Sequence, residues 1–279
     1  LLEAPEWGAK LLAHNLNELY SKRATGRKLL RFARGTAGNE LRGFLSDKYR
    51  RLDARPIAEA FTAAVAKLGA LPYEGIATDT KVSIRAILPT LYEPVDNEVM
   101  AFGIDLSTSD YGDGALTVRG YALRMFCTNL ATLDDVLRQV HLGRRLSDDL
   151  AFSAQTYALD TRTMASAVGD VVKGTLAPAR VAEYCNIVRT ADAEKVNPRE
   201  VTARFKALGL SKGEQEDAAE AFNSPDDLER VPAGASRWRL SNAISWIAGK
   251  TEDGGRRMEL QRAAGAALTG SRLEVPAAA

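Results

Sequence analysis

Three apolar stretches follow one another with only turn-sized gaps, and this pattern most restricts what the chain can fold into. They are Tyr73–Leu88, interrupted near Asp79, then Val99–Leu106, then Leu116–Phe126. The first carries β-branched Val82, Ile84 and Ile87, and the third holds the alternation Leu116, Val118, Gly120. Connections this short favour antiparallel neighbours, because a parallel crossover needs a dozen or more residues. The connection between the last two, STSDYGDG at 107–114, is polar and Gly-containing, as a loop should be.

The segment before these strands is less regular. Leu11, Leu12, Leu16 and Leu19 recur at helical spacing within Trp7–Ser21, which predicts a short helix. KLLRFAR at Lys28–Arg34 and the stretch Leu41–Ser46 read as two short strands, joined by a turn at Gly35, Gly38 and Asn39. Pro56 then opens an apolar helix over Ile57–Leu68, and Gly69 ends it.

From about Thr132 the pattern changes to Ala-rich stretches at helical period. These are Leu133–Val140, Asp148–Lys173, Pro178–Arg189, Pro198–Leu208, Lys212–Ala221 and Arg237–Gly249. Thr132, Ser147, Asn197, Ser211 and Ser236 are the capping candidates at their starts. The expected class is therefore α+β, with an antiparallel sheet and helices in the N-terminal half and a helical C-terminal half. The expected regions are a basic α+β part at 1–143, a helical part at 144–270 packed on it, and a disordered tail at 271–279.

Several function classes leave no mark. No run approaches the 18 apolar residues that suggest a membrane span, and the charged start reads neither as a signal peptide nor as an anchor. Cys127 and Cys185 are isolated in apolar surroundings, so a disulfide framework is not expected and the chain reads as intracellular. With His14 and His141 as the two imidazoles, no zinc-type spacing exists. Phosphate-loop, dinucleotide-fingerprint, HExxH and GxSxG signatures are all missing, so neither catalysis nor a cofactor is expected. Asp105, Asp110 and Asp113 could hold a cation, but Asp in and beside a turn more often serves local hydrogen bonds.

Charge distribution carries the one positive signal. The whole chain is +1, yet Lys22–Arg55 holds eleven basic residues against three acidic ones, a net +8 that leaves the remainder at −7. Such asymmetry points to a polyanion site. Within it, GFLSDKYRRLD at 43–53 packs Lys48, Tyr49, Arg50 and Arg51 together. Cations there can neutralise phosphates while an aromatic face stacks on an unpaired base. The alternative is a solvated charged edge strand in which Tyr49 packs on the core. Arg27, Lys28, Arg31, Arg34 and Arg42 extend the candidate set. In a strand Lys28 shares a face with Leu30 and Arg31 takes the other, so one groove cannot use them all. Arg85, Arg119 and Arg124 are second-rank candidates, with structural pairing equally open for the last two inside their apolar run. Trp238 and Trp246, eight residues apart in SRWRLSNAISWIAG, favour a core or docking role over a stacking platform.

Three segments together resemble a phage- and plasmid-borne family, domain-of-unknown-function family nine hundred and thirty-two. They are GFLSDKYRRLD, then LSTSDYGDGALTVRGYALRMFCTNLA with VHLG after it (106–143), then SRWRLSNAISWIAG, spanning about 43–249. Leu130 departs from the pattern, which has an extra Gly after Asn129. More remotely, a basic helix with a hairpin in a phage-type protein is similar to single-strand annealing recombinases of the RecT, Erf and eukaryotic Rad type. That resemblance implies rings or filaments of one chain holding single-stranded DNA in a basic groove with no nucleotide cofactor. The resulting expectation is a non-enzymatic single-stranded DNA-binding protein of mobile-element origin, in the host cytoplasm, promoting annealing or recombination as a homo-oligomer. The competing expectations are an accessory factor whose basic segment binds an acidic protein, and a metal-dependent nuclease using the three aspartates.

Overall fold

The computed structural model describes residues 11, 13–15, 17–18, 21–22, 28–35, 38–46, 49, 52–125, 129–139, 153–224 and 231–271. The class is α+β: antiparallel sheets and helices in the N-terminal half, helices in the C-terminal half. Strands β1 (Lys28–Gly35) and β2 (Gly38–Ser46) form a two-stranded sheet by themselves. Helix α1 (Ala54–Lys67) follows, with Pro56 in its first turn and Gly69, at φ +70°, just past its end. Its buried residues Ile57, Phe61, Ala64 and Val65 recur at helical spacing and give it one core-facing stripe.

Strands β3 (Leu71–Ala77), β4 (Val82–Val95), β5 (Glu98–Thr108), β6 (Leu116–Arg124) and β7 (Asn129–Gln139) make a five-stranded antiparallel meander in chain order. Of the expected strands, Lys28–Arg34 and Leu41–Ser46 fall in the hairpin, and Tyr73–Leu88, Val99–Leu106 and Leu116–Phe126 fall in this meander, Phe126 itself lying outside the described residues. β7 is a correction, because helical period was expected over Leu133–Val140 and strand is found. β6 would otherwise end the sheet with open backbone groups, and pairing from Leu116–Gln139 to Arg124–Asn129 satisfies them. Leu130, Ala131 and Leu133 are buried there, so tertiary pairing outweighs the local Leu-rich pattern.

In the helical half, α2 (Ala154–Thr175), α3 (Pro178–Ala193), α4 (Val201–Ala207), α5 (Lys212–Asn223) and α6 (Arg237–Lys250) fall on expected stretches. Ser236 caps α6, and Ser211 with Glu214 forms a reciprocal capping box on α5. Helix α7 (Gly254–Thr269) had no sequence expectation, since its glycines and paired arginines mask the period. It is nonetheless central. Gly265 lies so near β7 that a Cβ there would overlap the Thr132 carbonyl oxygen.

Two cores result. Ile104, Leu106, Leu116 and Val118 of the sheet pack with Ile57 and Phe61 of α1 and with Met164, Val168 and Val172 of α2. The larger core joins Met100, Phe102, Ala122 and Leu133 to α3–α7, including Tyr184, Trp238, Ile244 and Leu260. Trp238 is thus a core residue, while Trp246 is partly buried under the Lys250 ammonium, 4.3 Å from the ring centre. Cys185 is a free, buried thiol, and Cys127 lies outside the described residues. No helix among the described residues is long and apolar enough to cross a membrane.

Candidate nucleic-acid interface

The β1–β2 hairpin carries Arg31, Arg34 and Arg42 of the basic segment. Its register runs Lys28 opposite Ser46, Leu30 opposite Phe44, and Phe32 opposite Leu41, with an irregularity between Arg31 and Phe32. Arg31 faces Gly43 while Phe32 faces Leu41, so Arg42 is the extra residue of a bulge. Two faces follow from this register. Leu29, Arg31, Ala33, Glu40 and Leu45 are half-buried, and Leu30, Phe32, Arg34, Asn39, Leu41 and Phe44 are exposed.

The half-buried face sits on the 107–114 loop. Gly112, at φ +85°, meets Leu45 so closely that a Cβ there would collide with a Leu45 methyl. The Ser109 hydroxyl accepts the backbone N–H groups of Tyr111 and Asp113, each at 3.1 Å, and holds the loop's shape. Arg31 lies between this loop and α1. Its guanidinium is 3.2 Å from Asp53 Oδ1 and 3.5 Å from Asp110 Oδ1. Asp110 also accepts the Ala54 N–H at 2.8 Å, supplying from the loop the cap that Asp53 at the start of α1 does not make. Tyr49 is half-buried and donates its hydroxyl to the Ser109 carbonyl at 3.4 Å. Burial pushes its phenol up to about 12, against the opposing field of the Arg31 guanidinium, so the hydroxyl keeps its proton.

The candidate cations therefore have different fates. Arg31 is held by two carboxylates. Arg42 reaches Glu40 and Asp79, each at 2.7 Å. Outside the candidate set but within the basic segment, Lys22 pairs with Glu18 and Arg55 with Glu59. Arg34 is exposed and has no ion-pair partner among the described residues. Lys28 opens β1, but its side chain lies outside the described residues, as do Arg27, Lys48, Arg50 and Arg51.

Arg85, Arg119 and Arg124 are corrections as phosphate-contact candidates, because all three are buried in the sheet. Arg85 donates to Glu74, Asp105 and the Gln261 side chain of α7. Arg119 stands opposite Asp105 in the β5–β6 ladder and opposite Asp135 in β6–β7. Arg124 donates to both carboxylate oxygens of Glu98, Nη2 to Oε1 at 3.0 Å. A guanidinium inside a covered sheet needs such partners, since burial strips its water.

The three aspartates are likewise divided. Asp105 accepts from Ser83 and Arg85, Asp110 accepts the Ala54 N–H and pairs with the Arg31 guanidinium at 3.5 Å, and Asp113 accepts from Thr80 with Lys81 2.9 Å away. Burial alone would raise the Asp113 carboxyl, but the Thr80 and Lys81 hydrogen bonds outweigh it and hold it below its usual value. No group of three or more His, Cys, Asp or Glu able to hold a metal occurs among the described residues.

Sequence reasoning overlooked the apolar side of the hairpin. Leu30, Phe32, Leu41 and Phe44 are between 44% and 54% exposed, and the register makes them two adjacent cross-strand pairs. Alternation within KLLRFAR could have signalled Leu30 and Phe32. Strict alternation would have put Leu41 and Phe44 on opposite faces, and the Arg42 bulge brings them together. No family model matches the chain, and neither a curated protein nor a solved structure matches it.

Proposed function

We propose that this chain binds single-stranded nucleic acid through its basic N-terminal segment, without catalysis and without a cofactor. The observation that supports this most directly is the net +8 concentrated in Lys22–Arg55 of a chain otherwise net acidic. The hairpin adds an exposed cation, Arg34, beside exposed rings. Arg34, together with Arg27, Lys28, Lys48, Arg50 and Arg51, is the reduced set for phosphate contact. Arg31 and Arg42, already matched to carboxylates, orient the hairpin.

Strand annealing or recombination by a homo-oligomer in a phage or mobile-element setting is the wider proposal. It rests on the resemblance of the 43–53, 106–143 and 236–249 segments to the phage- and plasmid-borne family. A mobility-shift titration with single-stranded and duplex oligonucleotides, beside light scattering, tests both levels. Affinity for the single strand should drop steeply between about 50 and about 200 mM salt, because each phosphate contact releases a counterion. Arg50→Ala with Arg51→Ala should weaken all sequences alike. A binding curve flat across that salt range rejects the proposal.

A further inference from the structure

The exposed side of the hairpin is not a plain basic surface. Along β1 it presents Leu30, Phe32 and Arg34, and along β2 Phe44, Leu41 and Asn39 in register opposite them. From Leu30 to Arg34 this covers roughly 14 Å at the usual strand rise. Apolar groups fill two rows and a cation ends the third, and none of these six positions is acidic. Among the described residues, the carboxylates Glu40, Asp53, Asp79 and Asp110 near the hairpin are engaged with Arg31 and Arg42.

We infer that this face receives unpaired bases, with Phe32 as the stacking ring, Leu30, Leu41 and Phe44 flanking it, and Arg34 on the adjoining phosphate. The inference rests on the nucleic-acid reading above and gives it a specific surface. Base stacking on an aromatic side chain tolerates any sequence, because every base has a π-face. Charge complementarity separates this occupant from a second copy of the chain. A two-fold contact of the face with itself would cover Arg34 with no carboxylate on the face to pair it. A nucleic-acid strand brings both the apolar bases and the missing negative charge.

The test compares an oligothymidine of about 16 nucleotides, within the range of known single-strand sites, with an abasic strand of equal length. Both carry the same phosphates, and only the first has bases. The full chain should bind the base-bearing strand roughly tenfold more tightly. Phe32→Ala should remove that advantage while leaving the abasic strand unchanged, and Phe32→Tyr should keep it. Arg34→Ala should weaken both strands by a similar factor. If the wild type binds both strands alike and Phe32→Ala changes neither, the inference fails and the nucleic-acid reading stands. If the wild type shifts neither strand at low salt, the nucleic-acid reading itself fails. A wild-type mass above one chain that falls on Phe32→Glu would then make the face a contact between copies.

Discussion

The hairpin and the five-stranded meander are both antiparallel and both interleave arginine with apolar residues, yet they treat those residues in opposite ways. In the meander β5 and β6 are covered on both faces, and Arg85 and Arg124 are buried with carboxylate partners. In the hairpin one face is covered and the other open. Arg31 on the covered face finds Asp53 and Asp110, while Phe32 and Arg34 on the open face meet solvent. KLLRFAR and LTVRGYALR look alike as sequence. The number of covered faces, a property of the fold, decides whether an arginine holds the protein together or remains available for a ligand.

The largest effect that tests this contrast comes from the sheet. Arg124→Ala should cost about 3–5 kcal/mol in urea unfolding, because Glu98 is left charged and buried. Replacing both partners by apolar residues of similar volume should cost much less than either single change. A small loss for Arg124→Ala alone would show that water reaches Glu98.

A smaller effect links two helices of the C-terminal half. Hydrogen bonding from Arg256 of α7, joined by the Ser211 cap, outweighs burial and holds the Glu214 carboxyl at about 2. A depressed folded-state value means the contribution is present above the ordinary value of 4.5 and is lost as pH falls toward about 2. Both side chains are partly solvated, so the expected loss is only about 1 kcal/mol after screening. Unfolding measured from pH 5 down to pH 2 should show it, and Glu214→Gln should flatten that part of the profile.

The smallest effect belongs to the open face. Phe32→Ala should change stability by no more than about 0.5 kcal/mol, whereas Phe102→Ala in the larger core should cost about 3–5 kcal/mol. Paired thermal melts would measure both. A large loss at Phe32 would mean that the ring supports the fold and would end the comparison.

Much of this arrangement can be read from residue order, for reasons that also explain what cannot. The strands β3 to β6 are evident because alternation and short gaps act locally. α1 is evident because Pro56 and Gly69 mark its ends. β7 is hidden because its strand character comes from the edge of β6, and α7 because its contact at Gly265 depends on where Thr132 lies. For the candidate site, position 22–55 and its charge are legible, and alternation alone divides Lys28 from Arg31. The bulge at Arg42 is not legible, since it requires knowing which β2 residue meets Phe32. Without that one-residue slip, the apolar rows of the open face do not assemble.

Asp110 joins three parts of the chain that are far apart in sequence: its own loop, the first turn of α1, and the hairpin through Arg31. A carboxylate shared in this way makes the three open and close as one cooperative unit rather than separately. In hydrogen exchange, Asp110→Ala should therefore release the amides of β1, β2 and the start of α1 together while β5 and β6 keep their protection. The hairpin then behaves as a plate fastened to a fixed frame, and Asp110 is the fastening that also reaches α1, beside those at Asp53 and Asp79.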